Sequence, residues 1–140
     1  MKKVEISCDG ACKGNPGPGG WGALLTCDGH EKRIYGSMQS TTNNRMEILA
    51  AIESLKALTV PCEVTIFSDS QYLVKGMTQW IQGWKNKNWH NVKNVELWQE
   101  LDTESKRHNV TWTWVKGHSG NYGNEEADKL ANYAISIMNR

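Results

Sequence analysis

Four acidic residues in this 140-residue chain stand where carboxylates could meet and hold metal ions. Asp9 and Asp69 each end a predicted strand, and Glu47 and Asp128 each fall in the first turn of a predicted helix. Two like unit charges about 4 Å apart repel by roughly 4 kcal/mol near a protein surface, so converging carboxylates need a cation. Oxygen ligands of this kind favour Mg²⁺ or Mn²⁺ over zinc. Two such ions can activate water and stabilise the leaving oxygen in phosphodiester cleavage.

Each acid also has an ordinary structural interpretation. Asp9 and Asp69 are favoured turn residues. Glu47 lies three residues after Asn44, as in a capping box, and Asp128 complements a helix dipole. Spacing alone leaves these interpretations open beside the metal site. The metal site requires a fold that brings all four side chains to one edge of a sheet.

The elements that must position the acids follow from the periodicity of the apolar residues. Alternation of apolar and polar residues predicts strands at 4–9 and 110–114, and a compact β-branched and aromatic run predicts one at 64–67. Two more strands are expected at 21–27 and 33–38, with Asp28-Gly29 between them as a hairpin turn. Capping residues at 41–44 followed by a helical apolar stripe over 48–58 predict the first long helix. Helical periodicity also predicts helices at 70–84 with a break near Gly76, at 95–106 and at 127–138. A loop rich in glycine and proline is expected over 10–20.

This order of elements predicts an α/β fold. We expect a five-stranded mixed sheet, with three antiparallel strands plus two parallel ones, flanked by helices. If the first and fourth strands are parallel neighbours, Asp9 and Asp69 lie side by side at their carboxyl ends, where open α/β sheets bind ligands. The length and the 39% hydrophobic content fit a single domain over residues 1–140.

The formal net charge of +1 does not indicate a nucleic-acid partner, but the charge is unevenly distributed. Between Ser70 and Val95 there is no acidic residue, while the segment contains the lysines Lys75, Lys85, Lys87 and Lys93. The start of the chain has no apolar stretch typical of a signal peptide, and no run approaches the roughly 18 apolar residues of a membrane span. We therefore expect a cytoplasmic protein with reduced cysteines and no membrane association.

The residues that flank the acids form five motifs. They are DGACKGNPGPGGWG (9–22), TTNNRME (41–47), SDSQ (68–71), WVKGHSG (114–120) and NEEAD (124–128). In content and order these motifs closely resemble the bacterial ribonuclease H family of type one, and the likeness extends over about residues 3–135.

This resemblance implies a ribonuclease H-like fold and endonucleolytic cleavage of the RNA strand of RNA–DNA hybrids, leaving 5′-phosphate and 3′-hydroxyl ends. It implies two Mg²⁺ ions, with Mn²⁺ as a possible substitute. Asp9 matches the acid that contacts both ions, Glu47 and Asp69 match acids that favour one ion, and Asp128 matches the acid of the other. His118 matches a loop histidine that assists proton movement or product departure. We expect a monomer, since nothing in the sequence indicates an oligomer.

The resemblance also implies a set of substrate contacts. The positions that match the family's RNA track are Cys12, Asn15, Asn43 and Gln71. Thr42 and Asn94 match positions that hold a DNA phosphate, although by themselves Asn15 suits a turn and Thr42 a helix cap. The family's basic protrusion corresponds to a segment that contains Trp80, Trp84, Lys85, Lys87 and Trp89. Here residues 89–94 are several residues short and poorer in lysine, which puts substrate affinity and processivity in doubt.

Two other functions are compatible with such a fold. One is a DNA nuclease or an integrase-like enzyme, which would cut duplex DNA rather than a hybrid. The other is a non-catalytic nucleic-acid-binding module. The four intact acids disfavour the module, because a protein that only binds nucleic acid gains nothing from an anionic patch that faces phosphates.

Overall fold

The computed structural model describes residues 1–138, which form one five-stranded sheet with helices on both faces. The strands are β1 (Lys2–Cys12), β2 (Gly17–Cys27), β3 (His30–Thr41), β4 (Cys62–Ser68) and β5 (Asn109–Trp114). The helices are α1 (Asn43–Lys56), α2 (Gln71–Lys75), α3 (Ile81–Asn86), α4 (Val95–Lys106) and α5 (Tyr122–Ser136). A π-helical turn (Gly76–Trp80) joins α2 to α3.

The strand order is β3-β2-β1-β4-β5. The pairs β1–β2 and β2–β3 are antiparallel, whereas β1–β4 and β4–β5 are parallel. This topology confirms the predicted α/β fold with its five-stranded mixed sheet and the hairpin at Asp28-Gly29. It also makes β1 and β4 the parallel neighbours that the meeting of Asp9 and Asp69 requires.

The hydrophobic core lies between the sheet and the helices α1, α2 and α4. Alternate residues of β1, among them Ile6 and Cys8, face this core. Trp98 of α4 is the largest fully buried side chain, and its ring lies directly against Gly76, where a Cβ would overlap it. The bulky indole therefore requires glycine at the point where the helix was predicted to break, and the break is the π-helical turn.

The predicted loop over 10–20 is wrong in extent. β1 continues to Cys12 and β2 begins at Gly17, with Ala11 paired to Gly20 and Cys12 to Gly19. The glycine-rich composition conceals a strand, because glycine is ordinarily depleted in strands. Here it admits neighbouring elements, since a Cβ on Gly20 would overlap the carbonyl group of Ala131 in α5.

The two predicted helix starts that concern the acids also need correction. α1 begins after Thr42, whose Oγ1 accepts the backbone N–H of Arg45 at 3.3 Å. Glu47 is therefore in the second turn, which excludes the capping box with Asn44. α5 begins at Tyr122, so Asp128 is likewise in the second turn rather than the first.

The four cysteines are free thiols in the described part of the chain. Cys8 and Cys62 are buried in the core, as expected for small apolar side chains. Among residues 1–138, no helix has both the length and the apolar character needed to cross a membrane.

Candidate active site

Asp9 and Asp69 meet because their strands are parallel neighbours in matched register. Ser7 of β1 pairs with Phe67 of β4, so the residues two positions further on lie at the same sheet edge and on the same face. Ligand oxygens of Asp9, Asp69 and Glu47 all lie within 4.8 Å of one another. The acids predicted from the ends of two strands are therefore brought together with the acid from α1.

Glu47 reaches this edge because α1 packs directly on the backbone of β1. A Cβ placed on Gly10 would lie 2.6 Å from the backbone nitrogen of Glu47 and 2.8 Å from the Cβ of Met46. Only glycine permits so close an approach. Gly10 thus lets α1, on one face of the sheet, place the carboxylate of Glu47 beside acids that point toward the other face.

Asp128 arrives from the opposite face, on α5. Gly22 is the partner of Asp9 in the β1–β2 register, and a Cβ there would lie 2.5 Å from the Cβ of Leu130 and 2.6 Å from the carbonyl oxygen of Ala127. α5 therefore rests on bare backbone beside Asp9. Asp128 and the other three acids line one open pocket of about 410 Å³.

Burial and mutual repulsion dominate the electrostatics of the site. Burial, followed by the charges of Asp69 and Asp128, raises the pKa of Asp9 from 3.8 to about 8. Burial, followed by the charges of Asp9 and Asp69, raises the pKa of Glu47 well above its usual value. Within the described residues, the buried Oε1 of Glu47 has no hydrogen-bond partner. Converging carboxylates and an unpartnered buried oxygen fit a divalent cation with oxygen ligands.

Three residues that hold the acids were not predicted as site residues. The indole N–H of Trp114 donates to the backbone oxygen of Asp69 at 3.1 Å. Gly117 lies against the carboxylate of Asp69, since a Cβ there would be 2.6 Å from Oδ2. The amide of Asn132 donates to the backbone oxygen of Asp128 at 2.9 Å and to its Oδ1 at 3.3 Å. Trp114 and Gly117 belong to the motif at 114–120, which was the available signal, whereas Asn132 lies outside all five motifs.

His118 lines the rim of the same pocket. It is exposed, and its backbone has a positive φ of 54°, in the loop between β5 and α5. The structure therefore places this exposed side chain beside the acids, while its part in proton movement stays a prediction.

The four residues expected along the RNA track divide into two pairs. Asn43 and Gln71 line the acid pocket, and their contact with RNA stays a prediction. Asn15 lies beside Asn43, because its Oδ1 accepts the backbone N–H of Asn43 at 3.0 Å. Cys12 is outside the pocket lining, and its thiol donates to the carbonyl oxygen of Thr41 at 3.4 Å.

Thr42 and Asn94 are joined through Arg45, which the sequence did not single out. The backbone N–H of Arg45 donates to Thr42, and its guanidinium donates to Oδ1 of Asn94 at 3.1 Å and pairs with Glu96. The amide nitrogen of Asn94 in turn donates to the hydroxyl of Tyr72 at 3.0 Å. The two residues expected to hold a DNA phosphate are therefore fixed near each other at the junction of α1 and α4.

The tryptophan-rich segment forms a cluster of tilted aromatic rings. The ring centroid of Trp84 lies 6.1 Å from that of Trp80 and 6.2 Å from that of Trp89. Trp80 is 38% exposed, so it retains a face for a ligand. Lys85 instead donates to Asp102 of α4 at 2.8 Å, which compensates its charge, whereas Lys87 is exposed. Substrate contact through these residues stays a prediction.

Comparison with known proteins identifies the family. The RNase H family model matches residues 1–136. Ribonuclease H of Cupriavidus metallidurans is 55% identical over 144 residues, which covers 99% of both chains. Ribonuclease H of Francisella tularensis subsp. novicida is 59% identical over 141 residues, covering 97% of this chain and 93% of the relative.

Solved structures agree with this assignment. LC9-RNase H1, described as a type 1 RNase H with the type 2 active-site motif, superimposes with a TM-score of 0.89 at 34% identity, over 97% of this chain and 73% of that one. LC11-RNase H1, solved in complex with an RNA/DNA hybrid, gives a TM-score of 0.74 at 25% identity, over 95% of this chain and 96% of that one. The chain therefore belongs to the ribonuclease H family and is an endonuclease of the hydrolase class.

Proposed function

We propose that this protein hydrolyses the RNA strand of RNA–DNA hybrids with the help of two Mg²⁺ ions, leaving 5′-phosphate and 3′-hydroxyl ends. The observation that carries the proposal is the convergence of four carboxylates from two strands and two helices on one open pocket. LC11-RNase H1, which shares the fold, has been solved with an RNA/DNA hybrid, and this supports the choice of substrate.

The donor set defines how the ions would be held. Asp9 is buried between the other acids and would contact both ions, Glu47 and Asp69 would complete one site, and Asp128 would complete the other. When bound, a pair of divalent ions activates a water and stabilises the leaving oxygen. Mn²⁺ has the same preference for oxygen ligands and would serve as a substitute.

The other residues of the pocket would orient the substrate. The side-chain amides of Asn43 and Gln71 can donate to and accept from a ribose 2′-hydroxyl, which distinguishes RNA from DNA. Thr42 and Asn94 would hold a phosphate of the DNA strand, at a site that Arg45 makes rigid. His118, which is exposed and lines the same pocket, would deliver a proton to the leaving 3′-oxygen or assist product departure.

A panel of labelled substrates tests the proposal. Wild-type protein is incubated with a uniform RNA–DNA hybrid, duplex DNA, duplex RNA or single-stranded RNA, in Mg²⁺, in Mn²⁺ or in chelator. We expect cleavage of the RNA in the hybrid, dependent on the divalent ion, with 5′-phosphate products. Preferential cleavage of duplex DNA would instead indicate a DNA nuclease, and hybrid binding without a metal-dependent cut would indicate a binding module. A monomeric state and a cytoplasmic location stay predictions from the sequence.

A further inference from the structure

A second depression adjoins the acid pocket on the side of β5. We call it the Trp114 groove; it has a volume of about 360 Å³ and is lined by Gln71, Val74, Lys75, Thr78, Gln79 and Trp114. This volume falls within the range of roughly 300–1,000 Å³ found for small-molecule sites. Gln71 lines both the groove and the acid pocket, so the two cavities are adjacent.

Trp114 presents a fixed aromatic surface in this groove. It is 46% exposed, which is unusual for so large an apolar side chain at the end of a strand. Its indole N–H is held by the backbone oxygen of Asp69 at 3.1 Å, which restricts rotation of the ring. A rigid, exposed indole stacks well on a planar base whose face is not covered by a neighbouring base pair, as in a single-stranded segment.

The remaining lining favours a phosphate and a sugar. Lys75 is exposed, and within residues 1–138 it makes no ion pair. It lies in the stretch between Ser70 and Val95, which has no acidic residue to compete for its charge. Gln71, Thr78 and Gln79 add neutral donors and acceptors. One aromatic face, one free cation and several amides together match a single nucleotide.

We propose that the Trp114 groove binds an unpaired nucleotide of the RNA strand next to the cut, so that the enzyme favours junctions between hybrid and single-stranded RNA. This inference rests on the proposed function, because the strand held at the acids is the strand that is cut. The groove shares Gln71 with the acid pocket, so a nucleotide next to the one at the acids can reach it. Because the strand at the acids is the RNA strand, that neighbouring nucleotide is also RNA.

Kinetics with tailed hybrids test this inference. A short hybrid with one cut site is prepared blunt, with an unpaired RNA tail at its 5′ or 3′ end, or with an unpaired DNA tail on the complementary strand. For wild type we expect KM to be about fivefold or more lower with one RNA tail than with the blunt hybrid, which corresponds to the lower end of base–aromatic stacking. Trp114→Ala and Lys75→Ala are expected to bring this ratio close to one.

Two further variants separate stacking from other effects. Trp114→Phe removes the bond to Asp69 but keeps an aromatic face, so it should retain much of the preference for the tail even if its activity on the blunt hybrid falls. Lys32→Ala removes an exposed lysine of β3 outside the groove and should leave the ratio unchanged. Each variant is compared with itself on the blunt hybrid, so a disturbed Asp69 does not alter the ratio.

The possible outcomes are distinct. If wild type cuts the blunt hybrid but neither RNA tail lowers KM, or only the DNA tail does, the inference is wrong and the proposed function stands. If Trp114→Ala keeps the full preference for the RNA tail, the groove is not its cause and the inference is also wrong. If no hybrid is cut under any condition, the proposed function itself fails.

Discussion

Gly22 sets the distance between Asp128 and Asp9, because α5 packs directly on its backbone. A Cβ in Gly22→Ala would lie 2.5 Å from the Cβ of Leu130 and 2.6 Å from the carbonyl oxygen of Ala127. Ordinary contacts between carbon atoms are about 3.5–4.0 Å, so α5 must move outward by about 1 Å. Such overpacking costs about 1–3 kcal/mol of unfolding free energy. A catalytic group misplaced by about 1 Å can lower the rate on the order of 100-fold.

The assay combines denaturant unfolding in chelator with turnover at saturating Mg²⁺ and hybrid. Gly22→Ala should lose both stability and kcat. The matched control for stability is Gly83→Ala in α3, because a Cβ there meets nothing within 4 Å. Alanine is favoured over glycine in a helix by up to about 1 kcal/mol, so this variant should be as stable as wild type or more so. If Gly22→Ala retains wild-type stability and kcat, the account of how α5 positions Asp128 is refuted.

Three further predictions concern charge. In chelator, the stability of wild type should fall as pH rises from about 4 to 8, because folded Asp9 with a pKa of about 8 keeps a proton that the unfolded chain releases near 3.8. At about 1.36 kcal/mol per pH unit, Asp9 accounts for at most about 6 kcal/mol of this loss in unfolding free energy. Asp9→Asn should remove that part of the pH dependence. Parallel curves of stability against pH for wild type and Asp9→Asn would contradict the prediction. Lys85→Met should destabilise the fold by about 1 kcal/mol, because Asp102 then keeps only its longer ion pair with Lys106. Lys87→Met, at an exposed position, should have no such effect. Equal unfolding free energies of the two variants in urea would argue against a stabilising Lys85–Asp102 ion pair. His118→Ala should lower kcat on the order of tenfold or more with little change in KM, and an unchanged kcat would exclude its role.

The relation of Asp9 to Asp69 could be predicted in part from the sequence because it depends on local rules. Alternation located β1, a β-branched and aromatic run located β4, and the helical crossover before β4 indicated a parallel strand. That β1 and β4 are direct neighbours is seen only in the structure. The places of Glu47 and Asp128 depended on their flanking motifs, since their spacing also fitted caps. Both acids were predicted in the first turn of a helix but lie in the second. For Glu47 the reason is that several neighbouring residue types can cap a helix, and the cap is Thr42 and not Asn44.

The contacts that sequence did not predict join residues far apart in the chain. Arg45 and Asn94 are 49 positions apart, and Lys85 and Asp102 are 17 apart. The periodicity of apolar residues cannot predict such pairs, because they form only when the helices pack against each other. The strand residues within 10–20 were missed for a related reason. Their glycines are required by the close packing of α1 and α5 and not by the strand itself.

We propose that the converging carboxylates hold the metal ions needed to cut the RNA strand. The most direct measurement is cleavage of a labelled hybrid by Asp9→Asn in Mg²⁺, with hybrid binding by the same variant measured in parallel. The structure predicts that cleavage is abolished while the hybrid is still bound, because removing one of several repelling charges leaves the fold and the substrate surface intact. Turnover like that of wild type in Asp9→Asn would contradict the account.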